Sequence, residues 1–110
     1  PATGLEGRVM ELLDEHGIEM RRQVDSGEEL WTGRVDFRHV ELPVILEVQS
    51  EKYHRSLSST ADDAARHIKL ERDGFTYTEI WDTDVWARPW SVGPAVEAAI
   101  ATARSSPRNP

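Results

Sequence analysis

Glu47 stands in the middle of Val44-Ile45-Leu46-Glu47-Val48-Gln49, a run whose apolar and β-branched content reads as a strand covered on both faces. Side chains alternate along a strand, so Ile45, Glu47 and Gln49 share one face and Val44, Leu46 and Val48 the other. A carboxylate in that setting has to be paired, bound to a metal or held at an open rim, because burying it bare is strongly unfavourable. Asp36, in Gly33-Arg34-Val35-Asp36-Phe37, lies near the end of the preceding strand. Sequential strands are usually neighbours, which lets Asp36 and Glu47 approach at one edge of the sheet. Two carboxylates, a backbone carbonyl such as that of Val48, and water suit Mg²⁺ or Mn²⁺. Such an ion would activate water and stabilise charge on a phosphate under attack. Glu6, from the first helix, is a candidate third carboxylate.

Each of these residues also has a plainer explanation. Thr3-Gly4-Leu5-Glu6 is a capping-box pattern that accounts for Glu6 without any chemistry. Asp36 could pair with Arg34 or Arg38 at a strand end. Gln49 could hydrogen-bond inside the sheet, although its face makes it a neighbour of Glu47 in any case. His54 and Lys52 read equally as surface residues, and Asp62 and Asp63 as acids favoured by a helix N-terminus.

The elements that must position these groups follow from local pattern. Leu5, Val9, Leu12 and Leu13 recur at helical spacing and Gly17 suits a left-handed C-terminal residue, so a helix is expected from about Gly4 to about His16. Ile18 to Val24 and Leu30 to Arg38 alternate as strands, with Asp25-Ser26-Gly27-Glu28 as the turn between them. The Glu47 strand opens after Pro43, where no ladder donor is lost. Ser58, Ser59 and Thr60 offer caps for a second helix, which ends near Gly74 and carries Ala61, Ala64, Ala65 and Ile68 as its apolar stripe. Phe75 to Trp81 alternates as a fourth strand, and a last helix runs from about Val92 to about Arg104. Trp81, Trp86 and Trp90 are expected to form a core wedge, with base stacking as the alternative. Trp31 is placed in a strand.

The expected order is helix, three strands, helix, strand, helix: an α/β (α+β) domain with a mixed sheet flanked by helices. At 110 residues the chain makes one domain, over 1–104, with 105–110 expected as a disordered, frayed tail. Opening on Pro1, not Met, it is expected to be part of a longer protein. Nothing resembles a membrane span or a secretory segment. The lack of cysteine excludes disulfides and thiolate metal sites and suits a cytoplasmic setting. Gly-rich phosphate loops, serine-triad ordering and zinc-ligand spacing are also missing, so kinase, serine hydrolase and zinc-enzyme readings have nothing specific behind them. A net charge of -7 opposes binding through phosphates, but carboxylates at a metal site are offset by the cation. Local basic clusters are candidate phosphate contacts: Arg21 and Arg22; Arg34, Arg38 and His39; Lys52, His54 and Arg55; Arg66, His67 and Lys69.

Taken in order, these motifs resemble the PD-(D/E)XK nuclease superfamily, and more closely the Vsr-like domains related to very-short-patch-repair endonucleases. The resemblance rests on Gly4-Leu5-Glu6, Arg34-Val35-Asp36-Phe37, Leu46-Glu47-Val48-Gln49 followed by His54, then Asp62, Asp63 and Arg66, then Gly74-Phe75, and covers about residues 3 to 103. It implies a restriction-endonuclease-like αβββαβ core with an extra C-terminal helix and metal-dependent hydrolysis of DNA phosphodiesters. Asp36 and Glu47 would be ligands of Mg²⁺ or Mn²⁺, and Glu6 an accessory carboxylate. Gln49 would stand where the superfamily often carries a lysine. Lys52, His54 or Lys69 would have to replace that lysine, and His54 suits proton transfer near neutrality best. Lys52, Arg55, Arg66 and Lys69 would contact nucleic acid. The missing lysine also fits a second expectation, a nuclease-like module that no longer cleaves and binds nucleic acid or a protein partner. A third is an interaction domain using exposed tryptophans. A homodimer and a DNA-binding region outside these 110 residues are compatible with each.

Overall fold

The computed structural model describes residues 4–23, 33–52 and 57–106. In chain order the elements are α1 (Gly4–Glu15), β1 (Met20–Gln23), β2 (Arg34–His39), β3 (Val44–Gln49), α2 (Leu57–Arg72), β4 (Thr76–Trp81), α3 (Asp82–Ala87) and α4 (Val92–Ser105), with a 3-10 turn at Pro89–Ser91 before α4. The strands make one sheet in the order β1-β2-β3-β4, the first three antiparallel and β4 parallel to β3. A parallel neighbour requires a crossover, and α2 is that crossover. The mixed sheet flanked by helices is therefore as expected. The turn expected at Asp25 to Glu28, Trp31, and residues 107–110 lie outside the described residues, while Ser105, expected in the disordered tail, is the last residue of α4.

Two helices stop by the same device. After α1, the Ile18 amide donates to the Leu13 carbonyl (3.0 Å) and the Gly17 amide to that of Asp14 (2.9 Å). After α2, Phe75 donates to Leu70 (2.9 Å) and Gly74 to Glu71 (3.0 Å). Gly17 (φ 66) and Gly74 (φ 88) adopt the left-handed conformation this Schellman motif needs, which glycine reaches without a Cβ penalty. Each motif turns the chain back toward the sheet, into β1 and β4.

The two faces of the sheet differ sharply. Val35 and Phe37 of β2, Val44, Leu46 and Val48 of β3, and Ile80 of β4 join Val9, Leu12 and Leu13 of α1, Val85 of α3, and Val92, Val96, Ala99 and Ala103 of α4 in one buried cluster. That face is the hydrophobic core. The other face carries Arg34, Asp36 and Arg38 from β2, Ile45, Glu47 and Gln49 from β3, and Tyr77, Glu79 and Trp81 from β4, aligned by register. α2 lies over this polar face, where its Arg66 and His67 reach Glu47.

α2 departs from expectation in a way that matters for the site. Ala61, Ala64, Ala65 and Ile68, expected as its inward stripe, are exposed, Ile68 by 59%. A sheet face centred on Asp36, Glu47 and Glu79 recruits the charged face of the helix instead of its apolar one. The helix also starts at Leu57, so Ser58, Ser59 and Thr60 lie within it and are not its caps, and no acid occupies its first turn. Asp62 is exposed, while Asp63 pairs with Arg66.

The tryptophan wedge is also corrected. The chain between β4 and α4 folds into α3 and the 3-10 turn, whose inward residue is Val85. Trp81 is half-buried, but Trp86 is 58% and Trp90 71% exposed. α3 begins on a one-way cap, with the Trp81 amide donating to Asp84 Oδ2 at 2.9 Å and Arg88 gripping Asp84 Oδ1 at 2.6 Å. These bonds outweigh desolvation and hold the Asp84 carboxyl below the ordinary aspartate range.

Candidate functional site

Asp36 and Glu47 are direct cross-strand partners in the antiparallel pairing of β2 with β3. Glu47 and Glu79 are aligned in the parallel pairing of β3 with β4. Three carboxylates from three strands thus share one face of the sheet, with Glu47 in the middle. Its side chain is fully buried (0% exposed). Of the three options open to such a carboxylate, pairing is realised. Arg66 donates to Glu47 Oε2 from Nε (3.1 Å) and Nη2 (2.9 Å), and His67 Nε2 lies 2.6 Å from Oε1, where a carboxylate acceptor requires the ring nitrogen to donate.

These contacts belong to a wider network. Arg66 Nη1 donates to Asp63 Oδ1 at 2.8 Å, Arg34 Nη1 stands 3.7 Å from the same oxygen, and Arg34 Nε donates to Asp36 Oδ1 at 2.8 Å. Asp36, Arg34, Asp63, Arg66 and Glu47 therefore alternate in charge across β2, α2 and β3. Burial pushes the Asp36 carboxyl above the ordinary aspartate range and the Glu47 charge adds to this, against the pull of Arg34 and Arg66. Desolvation opposes the Arg66 charge, but Asp63 and Glu47 outweigh it and push the guanidinium pKa further up.

On the β4 side the imidazole of His67 stacks on Tyr77, with ring centroids 3.9 Å apart and planes 11° from parallel. The stack fixes the direction in which the ring nitrogens point. Burial, with the charges of Glu71, Glu47 and Glu79, pushes the Tyr77 phenol upward and keeps it protonated at neutral pH. The Gln49 amide donates to Glu79 Oε2 at 3.1 Å. Gln49 thus hydrogen-bonds within the sheet and borders the site at once.

Glu47, His67 and Glu79 could hold a metal ion, since one ligand atom from each lies within 4.8 Å of the others. Glu47 is buried, His67 half-buried and Glu79 exposed, so the group opens to solvent on one side. Glu79 was not singled out by the sequence, and His67 only as one residue of a basic cluster. The signals were there: Glu79 alternates in phase with Tyr77 and Trp81, and His67 follows Arg66 on a helix that must cover the Glu47 face. What was missing was the parallel register of β3 with β4, which pairs Glu47 with Glu79.

Other candidates are dispersed. Glu6 forms an ion pair with Arg22 at 3.2 Å. Arg22 is aligned with Phe37, a core residue, so Glu6 belongs to the face opposite Asp36 and Glu47 and does not join them as a third carboxylate. Arg66 is turned toward Glu47 and Asp63 and is 24% exposed. Arg38 lies over the Phe75 ring, 4.8 Å from its centroid. Lys52 is exposed after β3, and Lys69 is exposed on α2. His54 and Arg55 lie outside the described residues.

No family model matches the chain, and searches of curated proteins and of solved structures bring no match. The described residues include no helix long and apolar enough to cross a membrane.

Proposed function

We propose that the domain is a divalent-metal-dependent endonuclease that hydrolyses DNA phosphodiester bonds in the cytoplasm. The observation that carries this reading is the cross-strand pairing of Asp36 with Glu47 on the polar face of a sheet ordered β1-β2-β3-β4, within the helix, three-strand, helix, strand succession that the nuclease resemblance implies. The residues fit a cation. Asp36, Glu47, Asp63 and Glu79 set four carboxylates against the guanidinium groups of Arg34 and Arg66, an excess of two negative charges among these six groups. Glu47 would anchor Mg²⁺ or Mn²⁺ with Asp36 as its companion carboxylate, and the ion would supply Lewis acidity and a water of lowered pKa. Arg66 holds Glu47 Oε2 and so orients the carboxylate. Arg34 does the same for Asp36. Gln49, whose amide donates to Glu79, borders the site as a hydrogen-bonding neighbour.

A second reading is a nuclease-like module that does not cleave and contacts a partner within a larger protein. Two points favour it: in the nuclease resemblance Gln49 takes the place of the superfamily's lysine, and Trp86 and Trp90 are exposed.

The test is calorimetric titration of Mg²⁺ and Mn²⁺ into wild type and Glu47→Gln, followed by plasmid nicking in the metal that binds. Binding and nicking that are both lost in Glu47→Gln support the endonuclease. Binding without nicking supports the silent module, and no binding to folded wild type overturns the metal reading.

A further inference from the structure

The cation's ligand set can be specified further, an inference that rests on the reading of Glu47 as a metal anchor but not on hydrolysis. We propose that Glu47, His67 and Glu79 form a mixed oxygen-and-nitrogen site that selects a first-row transition ion such as Mn²⁺, Co²⁺ or Zn²⁺ over Mg²⁺.

Three elements converge on the site independently. Register aligns Glu47 of β3 with Glu79 of β4, and α2 delivers His67 from above, its ring held by the Tyr77 stack. Glu47 divides its oxygens: Oε2 takes both Arg66 donors, and Oε1 faces His67. Glu79 likewise gives one oxygen, Oε2, to Gln49, leaving Oε1 without a protein partner among the described residues. Each carboxylate therefore has one oxygen held by a side-chain donor, which is the outer-shell support common at metal sites, and each contributes a ligand atom to the group.

The spacing is close to what a cation needs. Ligand atoms about 2.1 Å from a metal stand roughly 3 to 4.2 Å from one another. The present 2.6 Å contact between His67 and Glu47 must widen by a few tenths of an ångström, and the other pairs, which lie within 4.8 Å, must close by no more than roughly half an ångström. The exposed Glu79 can make the second adjustment by a rotamer change. An imidazole nitrogen decides the class of ion. Mg²⁺ demands oxygen ligands in near-octahedral order, whereas imidazole with carboxylates suits the first-row transition ions and zinc.

The experiment measures binding of Mg²⁺, Mn²⁺, Co²⁺ and Zn²⁺, each added alone, to wild type, His67→Gln, Glu79→Gln and Glu47→Gln, together with the visible spectrum of the Co²⁺ form. His67→Gln keeps a donor toward Glu47, and circular dichroism confirms that each variant is folded. The expected result is tighter binding of Mn²⁺, Co²⁺ and Zn²⁺ than of Mg²⁺. His67→Gln and Glu79→Gln should each weaken Co²⁺ binding by at least about 10-fold, the lower end of what losing even an outer-shell partner costs, and His67→Gln should change the Co²⁺ bands. Affinity lost in Glu47→Gln but unmoved in His67→Gln and Glu79→Gln would overturn this ligand set while leaving the endonuclease reading standing. Failure of all four ions to bind folded wild type would also overturn it. Ligand-dependent binding without plasmid nicking would leave the site established and remove the hydrolytic reading.

Discussion

Replacing Arg66 by Met removes the counter-charge of a carboxylate that has no access to water. Arg66 donates three hydrogen bonds, two to Glu47 and one to Asp63, and the Glu47 side chain is 0% exposed. Breaking a buried ion pair by deleting one partner costs about 3–5 kcal/mol, mainly because the other charge is stranded. Two features place Arg66→Met at the lower end, about 3 kcal/mol: Arg66 is itself 24% exposed, and His67 still bonds Glu47 Oε1. Against the roughly 5–15 kcal/mol total of a domain this size, that is a large loss. Urea denaturation of Arg66→Met, Glu47→Leu and the double variant measures it. The double variant should lose less than the sum of the singles, with a coupling of about 1–3 kcal/mol, since removing both charges strands neither. A cost for Arg66→Met below about 1 kcal/mol, the range of exposed pairs, would refute the claim that this guanidinium carries the buried Glu47.

Asp36 has a raised pKa when folded, so its protonated form is favoured there, and the stability it contributes in acid falls as pH rises from the ordinary aspartate range through the raised folded value. Asp36→Asn should therefore gain stability relative to wild type across that window and stay level above it, as urea midpoints at stepped pH will show. Asp84 is shifted the other way, and its contribution is present at neutral pH and disappears as pH falls through the lowered folded value. Asp84→Asn should cost about 0.5–2 kcal/mol near neutrality, the range of a helix cap, with the difference vanishing in acid. A Cβ at Gly93 would clash with the His16 ring, whose Nδ1 pairs with Glu97 at 3.2 Å. Because His16 is an exposed side chain that can swing aside, Gly93→Ala should change stability by less than about 1 kcal/mol, the gain in helix propensity offsetting the lost pair. His16 chemical shifts should nonetheless move.

Much of the architecture was legible because it depends on neighbours in the chain. The spacing of Leu5, Val9, Leu12 and Leu13, the glycines at 17 and 74, and the run from Val44 to Gln49 specify α1, two helix ends and β3 through backbone sterics and burial alone. The sequence also marked Glu47 as a residue in need of a partner and placed Asp36 beside it. It could not say which partner would arrive. Arg66 and His67 reach Glu47 from 19 and 20 residues away, and Glu79 is aligned with it only by a parallel register that the crossover through α2 sets. The same long-range choice inverted α2: its alanines and Ile68 read as a core stripe, yet the sheet face they would have met is charged, so the polar side of the helix packs inward. Trp86 and Trp90 went outward because α3 and the 3-10 turn leave the inward place to Val85. Local sterics and periodicity are written into a segment, whereas pairing of charges across elements is settled only when tertiary packing decides which faces meet.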